Sequence, residues 1–183
     1  MRKKLLIPVM ALVAVCLVFL SACGGPSVED LIREDLTTQF EQVKAGDDEL
    51  LAQVEASAGE SFEELGVDSD EFTTSYLEGF DYEINDITVE EDTAVANVTV
   101  SCKSMMDIMN DFQTQLTDYV STLDASSISQ ESLYQAAGEI LMQCVEDAEV
   151  KSTECDFTYE RDSEGTWSAT AEASSELTNA LMS

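Results

Sequence analysis

Histidine is absent from this sequence. Without it, Ser-His-Asp and Cys-His nucleophilic sites cannot be assembled, and neither can the usual histidine metal centres. Basic residues are scarce as well, 8 against 38 acids, and Arg2, Lys3 and Lys4 stand together at the start. Beyond them only Arg33, Lys44, Lys103, Lys151 and Arg161 remain, and no two are adjacent. Nucleic-acid binding needs clustered cations to displace phosphate counterions, so no nucleic-acid partner is expected. A polybasic membrane patch fails for the same reason. No pair of cysteines has CxxC spacing, which argues against a thiol redox enzyme. A formal charge of −30 would suit a disordered chain, but aliphatic and aromatic residues recur with clear periods throughout. The acids therefore read mostly as a solvated shell, and no internal repeat or interdomain linker is visible.

What is present begins with a leader. Met1-Arg2-Lys3-Lys4 is positive, and Leu5 to Leu20 carries no charge, which is a signal-peptide pattern. The run is near the lower limit for a spanning helix, so length alone leaves an uncleaved anchor open. Leu20-Ser21-Ala22-Cys23 resembles the lipobox of bacterial lipoprotein signal peptides. That resemblance implies cleavage after residue 22, a diacylglyceryl group on Cys23 and a location on the extracytoplasmic face of the cell membrane. Two acyl chains give a stable anchor where one gives only marginal binding. A plain secretory signal with an incidental cysteine is the alternative. Residues 23–26 then form a lipidated tether, and residues 27–183 a single domain. The three residues Gly24-Gly25-Pro26 span roughly 10 Å at about 3.5 Å each, which keeps that domain close to the bilayer.

Ser27 with Asp30 makes a helix start, and Val28, Leu31, Ile32, Leu36, Phe40 and Val43 continue at helical spacing to about Ala45. Gly46 stops this helix and Asp47 caps a second, short one lined by Leu50, Leu51 and Val54. A separate helical turn over Ser61 to Leu65 and a third helix over Ser69 to Glu78 follow. The period then changes to alternation. Phe80, Tyr82 and Ile84 alternate, while Ile87 and Val89 continue on the opposite parity, which requires a β-bulge near Asn85-Asp86. Glu90 to Thr93 turn, and Ala94, Ala96, Val98, Val100 and Cys102 return. A helix from about Lys103 to Thr122 carries a stripe of Met105, Ile108, Met109, Phe112, Leu116, Tyr119 and Val120, read as core filler. A polar connection over Asp124 to Ser129 leads to a helix from about Gln130 to Ala148. In the second hairpin Cys155, Phe157 and Tyr159 alternate, Arg161 to Thr166 turn around Gly165, and Trp167, Ala169, Ala171 and Ala173 return. Ser174 or Ser175 then caps a short terminal helix.

This order indicates an α+β domain with helices on a curved antiparallel sheet built from two hairpins. The stretch Tyr82 to Val100 resembles the first long hairpin of small secreted lipoproteins with an NTF2-like (cystatin-like) fold. Arg161-Asp162-Ser163-Glu164-Gly165-Thr166-Trp167 resembles their last hairpin. The resemblance implies a cone whose wide end opens as a pocket, with Phe80, Tyr82, Phe112, Phe157 and Trp167 as candidate lining. Such a pocket binds a small molecule, carries catalytic groups or is filled, and fold alone does not choose.

Enzymes of that family use an acid or histidine base with tyrosine donors. Tyr76, Tyr82, Tyr119, Asp81 and Asp107 supply the residue types without matching a motif, so no enzyme and no cofactor is expected. Asp68-Ser69-Asp70-Glu71 resembles the start of a calcium loop, but Phe72 stands where a third acid is needed, so it reads as a helix cap and no metal site is assigned. Cys102, Cys144 and Cys155 fall on inward faces. They read as buried small hydrophobes, and an extracytoplasmic location also allows one disulfide, most simply Cys102 with Cys155. The functional expectation is a membrane-anchored lipoprotein that binds a small ligand or an envelope protein. The alternatives are an interaction protein with no pocket and an Asp/Tyr enzyme.

Overall fold

A computed structural model describes residues 26–46, 48–123 and 129–182. The expected leader, Cys23, the expected tether as far as Gly25, the expected Asp47 cap and the 124–128 connection lie outside the described residues. The elements run α1 (Val28–Ala45), α2 (Asp48–Leu65), α3 (Ser69–Leu77), β1 (Asp81–Glu90), β2 (Thr93–Lys103), α4 (Met105–Thr122), α5 (Gln130–Asp147), β3 (Val150–Arg161), β4 (Trp167–Ala169) and α6 (Ala171–Met182). The fold is α+β, with a curved, unclosed antiparallel sheet in the order β1-β2-β3-β4.

The chain divides into two compact units. The first holds α1, most of the sheet and α6 up to Ala180; the second holds α2 to α5 with residues 181–183. In the first unit α1 starts as the capping residues require: the Ser27 amide donates to Asp30 Oδ2 (3.2 Å) and the Asp30 amide donates to Ser27 Oγ (3.2 Å). It buries Leu31, Ile32, Leu36, Phe40 and Val43 and packs along β1. The bulge is where the parity change requires it. Ile84 pairs with Val98 and Asp86 with Asn97, so Asn85 is the extra residue, and Tyr82, Ile84, Ile87 and Val89 all share a face with the buried Ala94, Ala96, Val98 and Val100. The second hairpin turns around Asp162, whose Oδ1 accepts the amides of Glu164 and Thr166 (both 2.9 Å), with Gly165 at φ +90°.

In the second unit Val67, Phe72, Ile108, Leu141, Cys144 and Val145 form the core, with Phe62, Leu65, Met105, Phe112 and Ile140 packed against it. Side-chain caps open three helices here: Asp68 for α3, Ser104 for α4 and Ser129 for α5. Asp68 thus accepts the amides of Asp70 and Glu71, the cap reading of that acidic run.

Three expectations are corrected. The short helix and the separate turn are one helix, α2, because the residues between Ala52 and Glu60 are mostly strong helix formers and contain no proline. The final strand stops at Ala169. Thr170 Oγ1 accepts the Ala173 amide (3.4 Å), so the alternating alanines 171 and 173 begin α6 instead of continuing the sheet. Within the α4 stripe only Ile108 is fully buried, while Met109 and Val120 are exposed.

Candidate functional site

The inner side of the first unit was the place to expect a pocket. There α1 brings Asp35, on the apolar stripe beside Leu31, Ile32 and Leu36, against the inward residues of β3. The Tyr159 hydroxyl donates to Asp35 Oδ2 (2.9 Å), and Gln39 Nε2 donates to the same oxygen (2.8 Å). A buried carboxylate is thereby supplied with two donors, as burial demands. Burial, then the neighbouring Asp35 charge and the bond to it, push the Tyr159 hydroxyl well above its ordinary range. Beside this pair Leu36, Gln39, Phe40, Phe157, Tyr159 and Leu177 border a cavity, of which about 10 Å³ is open to the centre of a water molecule. That is room for about one water.

Of the five candidate lining residues, Tyr82, Phe157 and Trp167 belong to the first unit. Phe157 borders the cavity and meets Phe40 edge-on, with ring centroids 5.6 Å apart. Tyr82 stacks on Phe40 at 4.8 Å and its hydroxyl donates to Glu41 Oε1 (2.9 Å). Trp167 is buried in β4. Phe80 and Phe112 belong to the second unit, the former buried and the latter packed against its core. The rings that implied a pocket fill space instead.

The acids and tyrosines considered for proton transfer are divided between the two units. Asp81 pairs with Lys44 (2.8 Å) on the surface, and Asp107 pairs with Lys151. Tyr76 donates to the Leu181 carbonyl (2.8 Å) inside the second unit, and burial pushes its hydroxyl up. The pair that is brought together is Asp35 with Tyr159, and its only signal in the sequence is an acid on an apolar helical stripe.

Cys102, Cys144 and Cys155 are all buried thiols, so the bridge between Cys102 and Cys155 is not formed. Cys155 Sγ instead lies 3.8 Å from the Thr153 carbonyl and 4.0 Å from that of Glu176 in α6, while Cys102 belongs to the other unit. Burial raises the thiol of Cys102, and burial with the nearby Asp111 and Asp147 charges raises that of Cys144.

Every basic residue beyond Lys4 is engaged. Arg33 donates to the Ile84 carbonyl on the sheet edge (3.4 Å), and Arg161 lies 3.7 Å from Asp92. Lys103 is buried at the end of β2, where its ammonium donates to the carbonyls of Ser75 and Val145 (2.9 Å each) and lies 3.8 Å from Glu78. The open depressions of the second unit are acidic. One is lined by Glu63, Glu64, Glu131 and Tyr134, another by Asp68, Glu71, Glu139 and Glu146.

No protein-family model matches the chain, and no curated protein matches it. A solved structure from Bacillus subtilis, described as a "putative lipoprotein (ycdA)", aligns with a TM-score of 0.43 at 14% identity over 72% of this chain and 45% of its own. This chain therefore spans less than half the length of that structure.

Proposed function

We propose that this protein is an extracytoplasmic lipoprotein, held at the cell membrane by acyl chains on Cys23, which engages an envelope partner through its surface and is not an enzyme. The anchor rests on Leu20-Ser21-Ala22-Cys23 behind a positive, apolar leader. Among the described residues no helix is long and apolar enough to cross a membrane. Kinship with NTF2-like lipoproteins belongs to the same reading and rests on the two hairpins.

The observation that favours a surface over an enclosed site is the filled interior beside Asp35 and Tyr159. The sign of the surface indicates the kind of partner. Cleavage would remove three positive charges, and the five that remain are each bound to carbonyls or carboxylates of this chain. A partner with a basic face is attracted and steered by such a surface, and polyanions are repelled.

Native mass spectrometry of the protein purified from its own envelope tests this. The expected result is a diacylated Cys23 at the amino end and a co-purifying protein released by salt. A retained small molecule with no protein partner would reverse the choice, and an intact leader would remove the anchor.

A further inference from the structure

The direction of α1 fixes which end of the first unit lies next to the lipid. Arg33 reaches the carbonyl of Ile84, Glu41 the hydroxyl of Tyr82 and Lys44 the carboxylate of Asp81, so β1 numbers fall as α1 numbers rise. On β3, Asp35 meets Tyr159 and Phe40 meets Phe157, again in opposite order. The amino end of α1 therefore lies toward the far end of β1 and of β3. Those far ends are the two hairpin turns, and the Arg161 amide donates to the Asp92 carbonyl (2.8 Å), which joins them. Three features thus share one end of this unit: the start of α1, the turn at Glu91-Asp92 and the turn over Asp162 to Gly165.

We propose that the first unit stands on the bilayer with this turn end facing the phospholipid headgroups. The proposal rests on acylation of Cys23. From that residue, Gly24, Gly25 and Pro26 supply roughly 10 Å of reach. The 18 residues of α1 extend about 27 Å, so the carboxyl end of the helix, at Ala45, is beyond that reach when the turn end is down. The surface so presented is acidic, with Glu29, Asp30, Glu91, Asp92, Asp162 and Glu164 all exposed. It fits zwitterionic headgroups and is repelled by anionic ones within a screening length of about 8 Å at physiological salt.

The test uses the full lipidated protein in vesicles, with a fluorophore on Glu164→Cys or on Ala45→Cys and a quencher on the lipid headgroups. Both positions are exposed and the three native core thiols are buried, so label goes to the introduced cysteine. In phosphatidylcholine vesicles the label at position 164 should be quenched several-fold more than that at 45. Phosphatidylglycerol should reduce the quenching at 164 at low salt, and added salt should restore it. Equal quenching at the two positions, or stronger quenching at 45, in protein that floats with the vesicles would overturn the orientation alone. An unacylated amino end and protein that does not float would overturn the anchor and the orientation together. Quenching at 164 that ignores phosphatidylglycerol would overturn the assignment of an acidic face toward the lipid.

Discussion

Replacing Lys103 by methionine should be among the most damaging single changes to the second unit. Its side chain is 4% exposed, and its ammonium sits where two helices end: Ser75 is in the last turn of α3 and Val145 in the last turn of α5. Helix carboxyl ends carry partial negative charge and leave carbonyls without intrahelical donors, so one cation there answers both. Methionine keeps the stem and removes the donors. The Val145 carbonyl then loses a charge-assisted partner, at about 1–3 kcal/mol for a buried group left unsatisfied, whereas the Ser75 carbonyl keeps the Glu78 amide (3.3 Å) and loses only about 0.5–1.5 kcal/mol. Recovery of the cost of burying an ammonium offsets part of this, which leaves a net loss of about 1–3 kcal/mol. For a chain of this size that corresponds to a fall in Tm of about 2–10 °C. Urea and thermal unfolding of the mature protein measure it, with Lys151→Met as the control. Lys151 and Asp107 are each about half exposed, and such a pair contributes about 1 kcal/mol or less, diminishing with salt. The Lys103 effect should persist at high salt. If Lys103→Met proved as mild as Lys151→Met, the carbonyl clamp would be decorative and the reasoning wrong.

Gly138→Ala should destabilise by about 1–3 kcal/mol or more, because a Cβ there would lie 2.2 Å from the Leu65 carbonyl oxygen, a backbone atom that cannot swing aside; chemical denaturation reads the loss. Glu91→Gly should do the opposite and stabilise by about 1 kcal/mol, since Glu91 holds φ +52° in the first hairpin turn, and a lower Tm would refute it. Tyr76 and Tyr159 are raised by burial, so the unfolded chain releases their protons first as pH climbs. Stability should fall from about pH 10 upward, and absorbance at 295 nm should show these two of the 5 tyrosines ionising only with unfolding. Phenolate formation at all five in still-folded protein would contradict their burial.

The sheet was legible where a side-chain period meets a turn. The parity change between Ile84 and Ile87 located an extra residue with no help from anything distant, because one face had to stay apolar on both sides of it. The start of α1 was legible too, from Ser27 and Asp30 ahead of its apolar stripe. What was not legible depended on partners far along the chain. Ala171 and Ala173 suit strand or helix equally by spacing, and Thr170 decided for the helix by accepting an amide. Lys103 read as the first residue of a helix. Its role follows from two carbonyls, one 28 and one 42 residues away, that no local pattern can announce.

The same limit applies to the expected pocket residues of the first unit. Tyr82, Phe157 and Trp167 alternate inward on their strands as predicted, but inward placement is equally what a filled interior requires. Only the side chains contributed by helices decide between a pocket and a core. Here α1 supplies Phe40, whose ring meets both Tyr82 and Phe157, and α6 supplies Leu177 beside Phe157. A large ring at position 40 thus occupies the space that an open cone would leave. Phe40→Ala turns this into a direct comparison. It should cost about 3–5 kcal/mol and leave an apolar cavity next to the Asp35 and Tyr159 pair. If the interior is structural, small apolar compounds should raise the Tm of the variant and leave the unmodified protein unchanged. Stabilisation of the unmodified protein by the same compounds would mean that the interior opens to ligands, and the surface reading of function would give way to an internal one.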